Sequence, residues 1–161
     1  MTPEKINVLI SKYENGYSLF LQSLNKFPQE ALRWKPSEME WSAAEVVLHC
    51  ADSETNAAMR IRYLIAENDP VIVGYDQDVW AAVFNYQNLP IEPAMRLLEA
   101  VRSNTSVLIR NFTEMDWKKV GKHSEYGTYS AEKWLELYSD HLKVHTDQLN
   151  RILMQWDKRD L

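Results

Sequence analysis

The sequence predicts an all-α protein, a four-helix bundle with extra short helices in its connections. Three observations lead there: four long segments carry apolar residues at helical spacing; Gly (4) and Pro (6) are few and lie mostly between those segments; and one segment opens on a complete helix-start signal. Four amphipathic helices in one chain pack most simply as a bundle. The length, 161 residues, fits a single domain spanning 1–161. A chain of this size buries about two thirds of its unfolded surface and needs no staples to fold.

The first helix is expected from Pro3 or Glu4 to Lys26, with Ile6, Leu9, Ile10, Tyr13, Tyr17, Phe20, Leu21 and Leu24 on its periodic face. Phe27-Pro28 ends it, because the residue before a proline is biased away from helical angles. A short turn and a second break at Pro36 lead to Ser42-Ala43-Ala44-Glu45. That spacing is a capping box, with Trp41 and Val46 placed as a hydrophobic staple. The second helix then runs to about Ala66. Residues 67–78 read as a loop, since Val71-Ile72-Val73 taken alone lacks a strand partner, and residues 76–86 read as a short helix carrying Trp80 and Phe84. The third helix starts near Ile91, tolerates Pro93 in its first turn and reaches Phe112. Residues 115–129 read as a loop. The fourth helix starts near Ser130 and passes through Trp134, Leu137, His141, His145, Leu149 and Ile152 to about Trp156. These loops exceed the shortest up-down connections, which leaves room for a crossover and for a site at one end of the bundle.

Composition narrows the function classes. Lys plus Arg number 18 against 23 Asp plus Glu, a net charge of -5, and no basic stripe follows a phosphate backbone. Residues 117–119 and 157–159 are the nearest approach to basic patches and read as solvated surface, so no nucleic-acid partner is expected. No run approaches the roughly 18 apolar residues of a membrane span, and the N-terminal stretch, with Lys5, Lys12 and Glu14 inside its amphipathic pattern, does not read as a signal peptide. The one cysteine, Cys50, cannot form an intrachain disulfide. The expected location is cytoplasmic. Six tryptophans and eight tyrosines suit a core, a pocket or an interface.

The chemistry-bearing residues are histidines. His141 and His145 are four apart and share one helical face with Leu137, Leu149 and Ile152. Imidazoles aimed at a core are costly unless both nitrogens find partners, and a metal ion satisfies one nitrogen of each. His49, on a second long helix, supplies a third ligand across the bundle. Three imidazoles with an open coordination position suit zinc or nickel first, with iron or cobalt as alternatives. The competing reading is three separately hydrogen-bonded histidines. No Glu stands three residues before any histidine, which argues against a di-iron bundle, and there is no HExxH. His123 reads as an exposed loop side chain. Cys50 lies about 100° around the helix from His49, too far to share its metal or to make a Cys/His nucleophile pair, and reads as a small buried filler. Gly-x-Ser-x-Gly and phosphate-cradling glycine loops are absent. Glu45, one turn before His49, either caps its helix or bonds to the site; Asp52 and Ser53 suggest that His49 faces a wet cavity.

Residues 41–54 (WSAAEVVLHCADSE), 75–86 (YDQDVWAAVFNY) and 123–149, with Gly127 before the last helix, occur in the order and spacing of the DinB/YfiT-like superfamily of metalloenzymes, which this sequence resembles over nearly its whole length. His49 matches the first ligand position, and His141 and His145 the closing pair. Cys50 stands where the family often has Leu. The resemblance implies a four-helix bundle with a metal site near one end, usually in homodimers. It includes transferases that act with bacillithiol, mycothiol or glutathione, a maleylpyruvate isomerase branch, and many members without an assigned reaction.

The leading expectation from that resemblance is transfer to a low-molecular-weight thiol such as bacillithiol, with a divalent ion favouring the thiolate. Glu45 would take the thiol proton as the catalytic base, Arg102 would pair with a carboxylate of the thiol, and Tyr75, Trp80 and Tyr129 would form the wall for a small-molecule substrate. Each has a plainer reading as a cap, an ion-pair arginine or ordinary packing. Two alternatives use the same triad: metal-assisted hydrolysis, which turns over without thiol, and a noncatalytic metal-binding or dimeric regulatory module. A purely structural bundle without metal is the remaining possibility.

Overall fold

In the computed structural model, which describes residues 1–159, four long helices form the body: α1 (Pro3–Leu24), α2 (Ala43–Ala66), α4 (Ile91–Ile109) and α6 (Ala131–Lys158). Between them lie the shorter α3 (Gln77–Val83) and α5 (Glu114–Trp117), with single 3-10 turns at Gln29–Ala31 and Tyr86–Asn88. The bundle is all-α in its layers, as the periodicity predicts. Each long helix packs on two others in the cyclic order α1, α4, α2, α6, so α1 and α2, neighbours in sequence, face each other across the diagonal. The long connections serve those crossings.

Three of the four long helices start on a side-chain cap; α4, which follows Pro90, has none. Thr2 and Ser130 accept from the backbone N–H of Lys5 and Lys133 as N-caps of α1 and α6. At α2 the reciprocal box is complete: Ser42 Oγ accepts from Glu45 N at 3.3 Å, and Glu45 Oε2 accepts from Ser42 N at 2.8 Å.

The loop expectation for residues 67–78 and 115–129 needs correction, because the two segments partner each other. β1 (Val71–Ile72) runs parallel to β2 (Val120–His123), with Val71 opposite Lys122 and Ile72 opposite His123. β2 returns antiparallel through β3 (Gly127–Ser130). Gly127, at φ 70°, takes a left-handed conformation that a side chain disfavours, and it closes this hairpin. Isolated in sequence, Val71-Ile72 has no partner; the fold brings one from about fifty residues downstream. This small sheet lies against α2 and leads directly into α6.

Two apolar cores fill the bundle. Phe20, Val46, Val47, Cys50, Leu98, Leu142 and Leu149 belong to one; Ile10, Tyr13, Ile61, Leu64, Ile109, Trp117, Trp134 and Leu135 belong to the other. Trp134 is fully buried, and its indole N–H donates to the Ala57 carbonyl at 2.9 Å, tying α6 to α2. Cys50 is the buried filler its position predicts. Leu137 departs from expectation: it is exposed and lines a cavity, while the core face of α6 is carried by Trp134, Leu135, Tyr138 and Leu142.

Candidate metal centre

His49, from α2, meets His141 and His145, from α6, with one ring nitrogen of each lying within 4.8 Å of the others. The ring centroids are 4.8 Å apart for His49 and His145, 5.6 Å for His49 and His141, and 4.7 Å for His141 and His145. The i, i+4 spacing on α6 sets two of the rings on one face, edge to face, and α2 brings the third across the interhelical seam. Trp41, just before the cap of α2, packs its ring 4.9 Å from His49.

Electrostatics keep His49 and His145 uncharged. Burial, helped by the neighbouring imidazoles His145 and His141, pulls the His49 pKa down to about 2. Burial and His141 pull His145 down to about 4. Neutral imidazole is the form that binds a metal.

The outer nitrogens are also engaged. His141 Nδ1 lies 2.9 Å from Glu54 Oε1, and His145 Nδ1 lies 2.8 Å from Gln148 Oε1. An acceptor at Nδ1 holds the proton there and leaves Nε2 of the same ring as the free donor atom. A divalent ion fits this set: three ring nitrogens converge, and two of the rings are held by oxygen acceptors in the way ligating histidines usually are.

Behind His141 the support reaches the far side of the bundle. Glu54 is fully buried and takes Arg102 Nη1 on Oε1 at 2.6 Å. Burial alone would raise the Glu54 carboxyl, but the Arg102 guanidinium and His141 outweigh it and hold it below the usual range. Arg102 also donates to the Tyr13 carbonyl and stacks over the Tyr13 ring, with Cζ 3.7 Å from the centroid.

A cavity of about 670 Å³ opens from the triad. The three histidines, Ser53 and Asp140 line its bundle side, and Arg60, Tyr75, His123, Tyr129 and Tyr138 line the side under the sheet. His123 corrects its sequence reading: it is 2% exposed, accepts from Glu125 N at Nδ1 (3.1 Å) and faces this cavity. Burial, then Arg60, lowers its pKa.

The residues assigned from sequence thus divide by position. His49, His141, His145, Tyr75 and Tyr129 surround the cavity. Glu45 closes the α2 capping box with Lys35 Nζ 3.4 Å away, Arg102 lies in the core against Glu54, and Trp80 packs on Tyr75 and Phe84; none of these three lines the cavity. Sequence reading missed Glu54, Arg60 and Tyr138, and read Trp41 as a helix staple without its contact with His49. Glu54 had a signal: it interrupts the buried stripe Val47, Cys50, Ala57, Ile61, Leu64 with a charge at helical spacing.

Comparison with known proteins agrees with this architecture. The sequence profile of the DinB superfamily matches residues 12–149, and the chain belongs to that superfamily. A relative in Oceanobacillus iheyensis, provisionally named a metal-dependent hydrolase, is 32% identical over 94% of this chain and 88% of its own length. A Geobacillus thermodenitrificans protein with the same provisional name is 32% identical over 68% of this chain and 62% of its own. Among solved structures, YfiT of Bacillus subtilis, described as having an unusual four-helix bundle topology, superposes with a TM-score of 0.89 at 21% identity, covering 98% of this chain and 90% of YfiT. The mycothiol-dependent maleylpyruvate isomerase superposes with a TM-score of 0.73 at 14% identity, covering 92% of this chain and 63% of the isomerase.

Proposed function

We propose that this chain is a metal-dependent hydrolase of small molecules, with one divalent ion, zinc or nickel, held by His49, His141 and His145. The observation that carries the reading is the convergence of three imidazoles, two of them held neutral by burial, at the wall of a 670 Å³ cavity. A divalent ion held by these three nitrogens would supply a Lewis acid able to polarise a carbonyl and to lower the pKa of water. Glu54 and Gln148 fix the orientation of His141 and His145, Trp41 shields His49, and Tyr75, Tyr129 and Tyr138 give the substrate aromatic surface. Glu45 keeps α2 capped one turn before His49 and serves the site through the backbone.

Hydrolysis takes precedence over thiol transfer because the relatives that align along most of this chain are named for hydrolysis, whereas the thiol-dependent isomerase shares the fold at 14% identity. Thiol transfer stays as the second reading, together with the homodimeric, cytoplasmic form that the family resemblance implies. The experiment is metal analysis of protein purified without chelator or nickel resin, followed by an ester, amide and lactone panel run with and without bacillithiol. Near-equimolar metal, its loss in His49→Ala and His141→Ala, and turnover without thiol are expected. Turnover only with thiol would replace hydrolysis by transfer, and a parent that binds no added zinc, nickel, iron or cobalt would end both readings.

A further inference from the structure

The cavity has a second end. His49, Ser53 and Arg60 all line it from α2, and the eleven residues from His49 to Arg60 rise about 16 Å along the helix. Among the described residues lining the cavity, Arg60 is the one lysine or arginine. Its guanidinium is held in place: Nη1 donates to Tyr138 Oη at 3.1 Å, Nη2 donates to the Val73 carbonyl at 2.9 Å, and the group lies 5.8 Å from the Tyr75 ring centroid. These two bonds use two of its five N–H donors. No described carboxylate lies within ion-pair distance of it. A half-buried, oriented cation without an anionic partner, facing a cavity, is a receptor for an anion.

The other charges around the cavity indicate which anion. Glu136 is paired with Lys5 and Asp140 with Lys12, so these two carboxylates are balanced from outside. Glu125, which also lines the cavity, has no such partner among the described residues, and its carboxylate rests against Gly74. One fixed cation with one carboxylate nearby tolerates a single negative charge better than two. Tyr138 sets the length: its hydroxyl accepts from Arg60 while its ring centroid lies 5.5 Å from that of His141. Although His49 and Arg60 leave α2 about 16 Å apart, the Arg60 side chain reaches back to Tyr138, so one aromatic side chain links the guanidinium to the ring of His141 on α6.

We infer that Arg60, held by Tyr138 and Val73, is a carboxylate subsite, and that the substrate is a small monocarboxylate whose reacting bond lies about one ring length from its carboxyl group. The proposed hydrolysis enters only in naming what happens at the histidine end. The test is calorimetric titration of zinc-loaded protein with phenylacetate, phenylacetamide and phenyl phosphate, in the parent, Arg60→Gln, Arg60→Lys and Tyr138→Phe, with circular dichroism and metal content checking each variant. Phenylacetate should bind the parent and weaken at least tenfold in Arg60→Gln. Arg60→Lys, which keeps the charge and loses the fork, should fall between them, and phenylacetamide should bind weakly and alike throughout.

Equal phenylacetate affinity in parent and Arg60→Gln would mean that the metal alone holds the carboxylate, and it would overturn the subsite. So would an absence of phenylacetate binding, or Arg60-dependent preference for phenyl phosphate. Should Arg60→Gln fail to fold, the comparison rests on Arg60→Lys and Tyr138→Phe, and unchanged affinity in both overturns the inference. These titrations require no turnover, so a protein that hydrolyses nothing yet binds phenylacetate through Arg60 would refute the hydrolase reading and leave the subsite standing.

Discussion

Glu54 Oε1 lies 2.9 Å from His141 Nδ1 and 2.6 Å from Arg102 Nη1, so the orientation of a metal-site imidazole is set by a buried carboxylate that is itself fixed from the opposite side of the bundle. Two consequences separate cleanly in Glu54→Gln. The amide keeps an acceptor for the His141 N–H but loses the charge, and removing such a partner from a ligating histidine weakens metal binding by about 10–100-fold. Arg102, 2% exposed, is left as a buried cation without its counter-ion, which costs on the order of 3–5 kcal/mol. Competition with a fluorescent zinc chelator measures the first, and urea denaturation of metal-free protein the second. A variant with parental zinc affinity would show that Glu54 serves packing alone.

Glu45 offers the opposite expectation. Its carboxylate satisfies the Ser42 N–H at the start of α2 and stays outside the cavity lining. Glu45→Ala should therefore cost about 1 kcal/mol, a drop of roughly 2–4 °C in Tm for a protein of this size, while metal content stays parental and turnover changes little. If turnover collapsed with metal content and fold intact, the carboxylate would be taking a proton from the reaction, as the sequence alone had suggested.

What the sequence made legible is local or periodic. The three histidines could be paired because two share a helix at four-residue spacing and the third sits on another long amphipathic helix. The capping box of α2 is written in four consecutive residues. The sheet was illegible because β1 and β2 are separated by about fifty residues, and each segment alone is too short to signal a strand. His123 went with it: a histidine in a loop is exposed by default, whereas one on β2, packed 5.3 Å from the Tyr129 ring, is buried. From sequence Arg102 is assigned to a carboxylate of the thiol, and only the facing of α2 and α4 shows that the carboxylate it pairs with is the buried Glu54 of its own chain. Cavity-facing roles for Arg60 and Tyr138 depend on the same long-range packing.

The depressed histidines make stability depend on pH in a defined direction. In the folded, metal-free chain His145 takes its proton only near pH 4 and His49 near pH 2, whereas unfolded imidazoles titrate at about 6.5. Between about pH 6.5 and 4 the unfolded chain thus binds more protons than the folded one. Stability is full above about 6.5 and declines as pH falls through that window, by up to about 1.4 kcal/mol per pH unit for each histidine. Below pH 4 His145 adds no further slope and His49 continues toward pH 2. Bound metal adds to stability in proportion to its occupancy and is itself displaced by protons, so the zinc-loaded protein should start higher and fall more steeply. Urea titrations of chelator-treated protein at half-unit steps from pH 5 to 8 measure the slope. His145→Gln should flatten part of it, and a parent whose stability is level across pH 5 to 6.5 would mean that the rings are protonated in the folded state and the triad is not the neutral donor set a metal requires.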